Sequence, residues 1–133
     1  MTDFQRGKLF LTRAMKLRCP ECGVSPLFVP LAKVRSMDDW LFTLPGCPIC
    51  GYPYTRENGY WLISTWVINY TIVGGLGLAA GIWADAYLQL PFWKICLFIV
   101  VPMPILSLLI NRHSKALFLA IDHWFDPHVV KKP

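Results

Sequence analysis

Two short stretches carry residues able to do chemistry: "RCPECG" from Arg18 to Gly23 and "GCPICG" from Gly46 to Gly51. Each is a C-x2-C knuckle, Cys19 with Cys22 and Cys47 with Cys50, and 24 residues separate the pairs. Such a turn aims two thiolates at one point. Gly23 and Gly51 follow directly and supply the left-handed backbone the turn often needs, while Pro20 and Pro48 stiffen each knuckle. Two pairs at this spacing are a strong metal signal. Four thiolates satisfy a tetrahedral Zn2+ at about 2.3 Å each, with no open position for substrate. The expected site is therefore a structural zinc held by Cys19, Cys22, Cys47 and Cys50.

Iron is the alternative. "DDWLFTLPGCPICG", Asp38 to Gly51, resembles the second half of a rubredoxin, where an aspartate-tryptophan pair precedes a C-P-x-C-G knuckle. A tetrahedral four-sulfur site suits either metal. The rubredoxin pattern is incomplete: "LFTLPG" separates Trp40 from Cys47, and no tyrosine-rich strand follows Cys22. Disulfides are disfavoured on the reducing cytoplasmic side, where the charge pattern below places these cysteines. A redox-active C-x2-C lacks its strand and helix context.

The elements that position the knuckles come next. Residues 17 to 56 alone bury too small a core to fold. A bound structural metal contributes on the order of 10 kcal/mol and substitutes for one. Short strands are expected around "SPLFVPLAKV" (Ser25 to Val34) and "DDWLFTL" (Asp38 to Leu44), forming a small ribbon on the metal. Residues 1 to 16 form an amphipathic segment whose Phe4, Leu9, Phe10 and Leu11 are expected to lie on a membrane surface or a partner.

The rest of the chain is apolar. Hydrophobic residues make up 55% and charged ones 16%, against roughly a quarter charged in a soluble domain. From Gly59 to Ala84 there are 26 residues without one charge. About 20 residues at about 1.5 Å each cross a hydrocarbon core of about 30 Å. A second apolar stretch runs from Leu90 to Ile110, with Lys94 near its start, where it can snorkel to the interface. Tyr60, Trp61 and Trp66 open the first span, Trp83 and Tyr87 close it, and Phe92 and Trp93 open the second, as expected of interfacial aromatic belts. The first span begins too far along the chain for a cleaved signal.

Lysine and arginine set the orientation. Eight precede the first span, one (Lys94) lies in the connection, and four (Arg112, Lys115, Lys131, Lys132) follow the second. Positive residues stay in the cytoplasm, so both termini are expected there. The net charge of +5 then reflects topology and anionic headgroups; no dense basic run points to nucleic acid.

No nucleophile stands beside a base in a known motif, and no glycine-rich phosphate loop is present, so no enzyme and no small-molecule substrate is expected. His113, His123 and His128 all follow the second span. His113 reads as an interfacial polar residue, with ligation of a haem or pigment as the rarer alternative. "SKALFLAIDHWF", Ser114 to Phe125, reads as an interfacial helix. Cys96 lies apart from the knuckles and reads as an apolar-face thiol.

With these residues in view, the chain resembles the bacterial family catalogued as domain of unknown function 983. The likeness lies in Arg18 to Gly23, Leu27-Phe28, Cys47 to Gly51, Tyr54, two hydrophobic spans, and Arg112, Lys115, Ala116 and Leu117 in the tail. Of the family's frequent Gly-Asp-Gly-Pro stretch before the first span only Gly59 remains, and Pro102-Met103-Pro104 is unusual. The resemblance implies a zinc-ribbon head on two transmembrane helices. Genes of the family often lie beside terminal-oxidase genes, which implies an assembly or accessory role.

The expected fold is thus a mainly α membrane protein: a two-helix transmembrane hairpin with a small zinc-ribbon-like β head and a C-terminal interfacial helix. Its expected parts are the amphipathic segment (1–16), the head (17–56), the first (57–86) and second (87–111) transmembrane helices, and an interfacial helix with basic tail (112–133). The expected function is a non-catalytic accessory subunit or assembly factor of a larger respiratory or photosynthetic complex in the bacterial inner membrane, with protein partners there. The alternative is a membrane-anchored iron electron-transfer protein.

Overall fold

The computed structural model describes residues 2–126. Helix α1 spans Asp3–Met15. It begins at a capping box, in which the Thr2 hydroxyl accepts from the Gln5 N–H while the Gln5 side chain accepts from the Thr2 N–H, satisfying two otherwise orphaned donors. A single 3-10 turn follows at Leu31–Lys33 and a short helix, α2, at Met37–Leu41. Next come α3 (Tyr60–Ile63), a π-helical stretch (Ser64–Asn69) and α4 (Tyr70–Leu88). These three form one helix, Tyr60–Leu88, started by Gly59 at φ +86° and stopped by Gln89 at φ +45°. The chain then turns back through α5 (Phe92–Val100) and α6 (Pro102–Phe125). Val101 separates these two, because Pro102 and Pro104 offer no N–H to the preceding turn.

The helices Tyr60–Leu88 and Phe92–Phe125 are both long and apolar enough to cross a membrane. They pair as a hairpin. The Asn69 side chain donates from Nδ2 to Ser107 Oγ (2.9 Å) and to the Ser107 carbonyl (3.3 Å). Higher up, Gly77 faces Met103 and Gly81 faces Ile99 so closely that a Cβ at either site would stand 2.8 Å from the side chain opposite. At Gly77 and Gly81 the first helix is therefore packed against the chain's own second helix.

The main core lies at the other end of the hairpin. Phe10 and Ala14 of α1, Leu27, Phe28, Tyr52 and Tyr54 of the cysteine head, and Ala116, Leu119 and Ala120 of α6 form one buried cluster. Two expectations are corrected here. The β head is absent: among the described residues there is no strand, only isolated bridging pairs at Arg18–Pro26 and Gly46–Pro53. Pro26 and Pro30 deny donors to any ladder in 25–34. Ser36 and Asp39 form a capping box (Asp39 N–H to Ser36 Oγ 3.2 Å, Ser36 N–H to Asp39 Oδ2 3.3 Å) that starts a helix where a strand was expected. The second correction concerns the interfacial helix. Among the described residues no separate helix follows Ile110; α6 runs unbroken to Phe125, and its Arg112, Ser114, Lys115, Ala116, Leu119, Ala120 and His123 are buried against α1 and the head. Of the four apolar residues singled out in α1, Phe10 is buried in this core, whereas Phe4, Leu9 and Leu11 are exposed. His128, Lys131 and Lys132 lie outside the described residues.

Candidate metal centre

The two knuckles fold alike. In each, the glycine after the second cysteine has positive φ (Gly23 +71°, Gly51 +73°) and donates to the first cysteine's carbonyl at 2.9 Å. In each, the first cysteine's N–H is held by the returning chain: Cys19 by the Ser25 carbonyl (2.8 Å) and Cys47 by the Tyr52 carbonyl (2.9 Å). Gly23 is required twice over. A Cβ there would also stand 2.7 Å from Arg13 Nε, and Arg13 donates from Nη1 to the Pro20 and Glu21 carbonyls (2.5 and 2.6 Å), tying α1 to the first knuckle.

The two turns face each other. Cys19 Sγ lies 3.7 Å from Cys50 Sγ, and Cys22 Sγ lies 3.6 Å from Cys47 Sγ. All four sulfurs lie within 4.8 Å of one another. A four-sulfur tetrahedron with bonds of about 2.3 Å has edges of roughly 3.8 Å, so the cluster already has the dimensions of a metal cage. Cys19 and Cys47 are buried, and Cys22 and Cys50 are half-buried. Burial pushes the Cys19 thiol up, against the N–H groups of Cys22 and Glu21. Burial also pushes Cys47 up, but the N–H groups of Cys50 and Ile49 and the thiols of Cys50 and Cys22 outweigh it and bring Cys47 down to about 6. A cation between the four sulfurs would stabilise their thiolate forms together.

The head is clamped to α6 by groups that the sequence presents only as cytoplasmic charges and as part of the family's tail pattern. Arg112 is buried and charged, and among the described residues no carboxylate is hydrogen-bonded to it. It donates from Nε to the Trp40 carbonyl (3.0 Å), from Nη2 to the Asp39 carbonyl (2.9 Å) and from Nη1 to the Val29 carbonyl (3.3 Å). Its guanidinium also lies over the rings of Trp40 and Phe28. One turn on, Lys115 Nζ donates to the Leu41 carbonyl (2.6 Å). Asp39, Trp40 and Leu41 are the last residues of α2, whose carbonyls have no partner within so short a helix; two cations of α6 provide one and sit at the negative end of its dipole. In return, Trp40 Nε1–H donates to the Leu108 carbonyl (2.9 Å). Trp40 is therefore part of the clamp.

A second clamp lies nearer the end of α6. His123 Nε2 meets Glu21 Oε2 at 2.8 Å, directly inside the first knuckle, and its ring lies edge-on to Phe10 and Tyr52. Arg56 pairs with Asp122 (2.9 Å) and Asp126 (3.0 Å), and the Tyr60 hydroxyl donates to Asp122 (2.6 Å). His113 is exposed and Cys96 stands apart from the cluster. The sequence did hold a signal for part of this: Ser36-x-x-Asp39 is a capping box, and Arg112 and Lys115 are one turn apart on one helix face.

What these elements define is a four-cysteine head locked onto the extended end of an apolar helical hairpin. The family model described as "Protein of unknown function (DUF983)" matches residues 37–123. The chain belongs to that family. The match takes in α2, the second knuckle, the first long helix and all but the last two residues of the second, and leaves the first knuckle outside. Each of the two short sulfur contacts thus joins a cysteine inside the matched region to one before it. No curated protein and no solved structure matches the chain.

Proposed function

We propose that this chain is a non-catalytic accessory subunit or assembly factor of a larger complex in a bacterial inner membrane, respiratory or photosynthetic, with a structural Zn2+ in its cytoplasmic head. One observation carries the reading: a closed four-thiolate cage, with no open coordination position, is hydrogen-bonded and ion-paired onto a helix that otherwise exposes apolar side chains. Such a metal organises a fold and performs no chemistry. The membrane placement is supported by burial. Only 22% and 6% of the most apolar windows of the two helices are buried within the protein, whereas the core helix of a soluble domain is mostly covered. The lysine and arginine distribution supports cytoplasmic termini. The four cysteines are then thiolates in a reducing compartment, which favours zinc over a disulfide.

The test has two parts. Elemental analysis of protein purified without chelators should give about one zinc per chain. Stoichiometric iron, with the visible absorption of ferric thiolate, would overturn zinc in favour of an electron-transfer protein. Copurification from native membranes, with partners identified by mass, should recover a defined complex; recovery of the chain alone would remove the accessory reading.

A further inference from the structure

The hairpin carries its own depth markers. Asn69 bonds to Ser107 across it. Three residues nearer the head on each helix stand Trp66 and Ile110, which therefore share one level. Trp66 and Tyr70 are exposed and meet edge to face at 6.3 Å. Trp83 and Tyr87 form a second exposed pair, at 5.9 Å, toward the other end. Trp66 to Tyr87 is 21 residues, about 31 Å of helix. That matches a hydrocarbon core of about 30 Å, so the two aromatic pairs mark its two faces. Ile110, where the uncharged run of the second span ends, lies at the face nearer the head.

The clamp on α2 lies at this same face. The Leu108 carbonyl, which takes the Trp40 N–H, is two residues inside Ile110. Arg112, which holds the Val29, Asp39 and Trp40 carbonyls, is two residues outside it, and Lys115, which holds Leu41, is five outside. These contacts run from about 3 Å inside the boundary to about 8 Å beyond it, and the headgroup layer is about 5 to 8 Å deep. The lobe held there, residues 30 to 42, exposes Leu31, Met37 and Phe42 at 71%, 58% and 60%. Each is tied to the clamp. Leu31 is two residues from Val29, within about 7 Å even if extended. Met37 lies three residues before Trp40, on the adjoining face of α2. The Phe42 ring lies 5.6 Å from Lys115 Nζ. The lobe's charges, Lys33, Arg35, Asp38 and Asp39, cancel; Asp39 is spent on the N–H groups of Arg35 and Ser36.

We propose that residues 30 to 42 are a third membrane contact of this chain, in which Leu31, Met37 and Phe42 insert between lipid headgroups beside the second span and hold the four-cysteine head against the bilayer. Lipid is the occupant because the clamp sets the lobe at headgroup depth, and because Ile105, Leu108 and Leu109, exposed on α6, carry the lipid-facing surface of the span up to it. Apolar insertion holds the lobe, since its charges cancel; Lys33 and Arg35 are long enough to lay their stems along it and reach the phosphates. The inference rests on the membrane placement of the two long helices and extends it to the head.

Photo-crosslinking of the full chain tests it, in vesicles of phosphatidylethanolamine and phosphatidylglycerol and in native membranes, with benzoylphenylalanine replacing Met37, Ile105 or Phe125 in turn. All three are exposed; Ile105 lies within the second span, and Phe125 lies 15 residues beyond Ile110, about 22 Å along α6 and clear of the headgroups. Phospholipid adducts are expected at Met37 and Ile105 alike, at least about tenfold above Phe125, in both membranes. The Met37 yield should persist in about 1 M salt, where the Debye length is about 3 Å. Lipid labelling at Ile105 without Met37, equal labelling at Met37 and Phe125, a protein adduct at Met37, or loss of the Met37 adduct in salt would overturn the proposal and leave the spanning helices standing. Absence of lipid adducts at Ile105 would remove the membrane placement and the proposal together.

Discussion

Ser64 and Asn69 are five residues apart yet stand on the same buried face of one helix. In a regular α-helix five residues turn the chain by about 500°, which would put them on different sides. The π turn between them absorbs the extra residue. It keeps Ser64 near the head while delivering Asn69 to Ser107, and the fourfold step from Asn69 to Val73 to Gly77 then continues along the same face. Its cost is met locally, because the Ser64 and Thr65 hydroxyls both donate to the Trp61 carbonyl. Deleting the exposed Val67 should therefore be tolerated, since a spacing of four restores one α turn between the same two partners. Deleting Ile72 should not be, since it rotates the glycine face by about 100° relative to Asn69. Thermal melting in detergent should move by less than about 5 °C for the first deletion and much further for the second.

Arg112 should matter more than its neutral surroundings suggest. Arg112→Met removes a buried cation but leaves the carbonyls of Val29, Asp39 and Trp40 without donors. Unsatisfied buried groups cost about 1 to 3 kcal/mol each, so the head should loosen by at least about 2 kcal/mol. Arg112→Lys should recover only part of this, because an ammonium cannot span three carbonyls in a fork. Hydrogen exchange at residues 37–42 should rise in both variants, most in the methionine one, while the metal content stays the same.

His123 makes the head sensitive to acid. Burial holds its pKa below the ordinary value, and Arg56 acts in the same direction; the Glu21 carboxylate 2.8 Å away and Asp122 oppose it only in part. The geometry agrees: Nε2–H donates to Glu21, while Nδ1 is buried with no partner, so the neutral tautomer fits and a second proton would have no acceptor. The unfolded chain then takes up a proton near pH 6.5 that the folded chain resists. Stability from this group is complete above that pH and declines as pH falls from 6.5 toward the lower folded value. His123→Gln should flatten the pH 5 to 6.5 part of the stability curve measured by thermal shift. An unchanged slope in that variant would show that another group titrates there.

The long helices, their apolar character and the four cysteines were legible because each is a local signal: an uncharged run, a period, a fixed spacing. The head's architecture was not. Ser25 to Val34 reads as a strand by composition, but Pro26 and Pro30 decide its backbone. Asp38 to Leu44 reads as a strand beside a knuckle, but Ser36 caps it into a helix. The clamp was illegible for another reason. Arg112 and Lys115 look like the cytoplasmic charges that end a span, and only the fold brings α2, some 70 residues earlier, against them. His123 likewise reads as one polar residue in an apolar helix until Glu21 arrives from the first knuckle.

Three of the four glycines of the first long helix, Gly74, Gly77 and Gly81, should behave differently, although their spacings of three and four place them on one helix face. Gly74 lines an open cleft with Tyr70, Val73, Met103, Pro104 and Ser107, and a Cβ there meets nothing within 4 Å. Gly74→Ala should be neutral or stabilising by up to about 1 kcal/mol, since alanine restricts the unfolded chain and suits a helix better. At Gly77 the nearest atoms belong to the flexible end of Met103, so alanine can be admitted by moving that side chain, at a cost below about 1 kcal/mol. At Gly81 the nearest atom is Ile99 Cδ1, on a β-branched side chain with less freedom, so Gly81→Ala should cost more than Gly77→Ala. Leucine at either of these two sites would force the helices apart and forfeit the close packing that holds helices together in a bilayer. Unfolding titrations in mixed micelles should rank the variants Gly74→Ala, Gly77→Ala, Gly81→Ala and Gly77→Leu from most to least stable. Each should retain its metal, since the head folds on the far end of α6. A Gly74→Ala variant as destabilised as Gly77→Leu would mean that another helix already occupies the cleft.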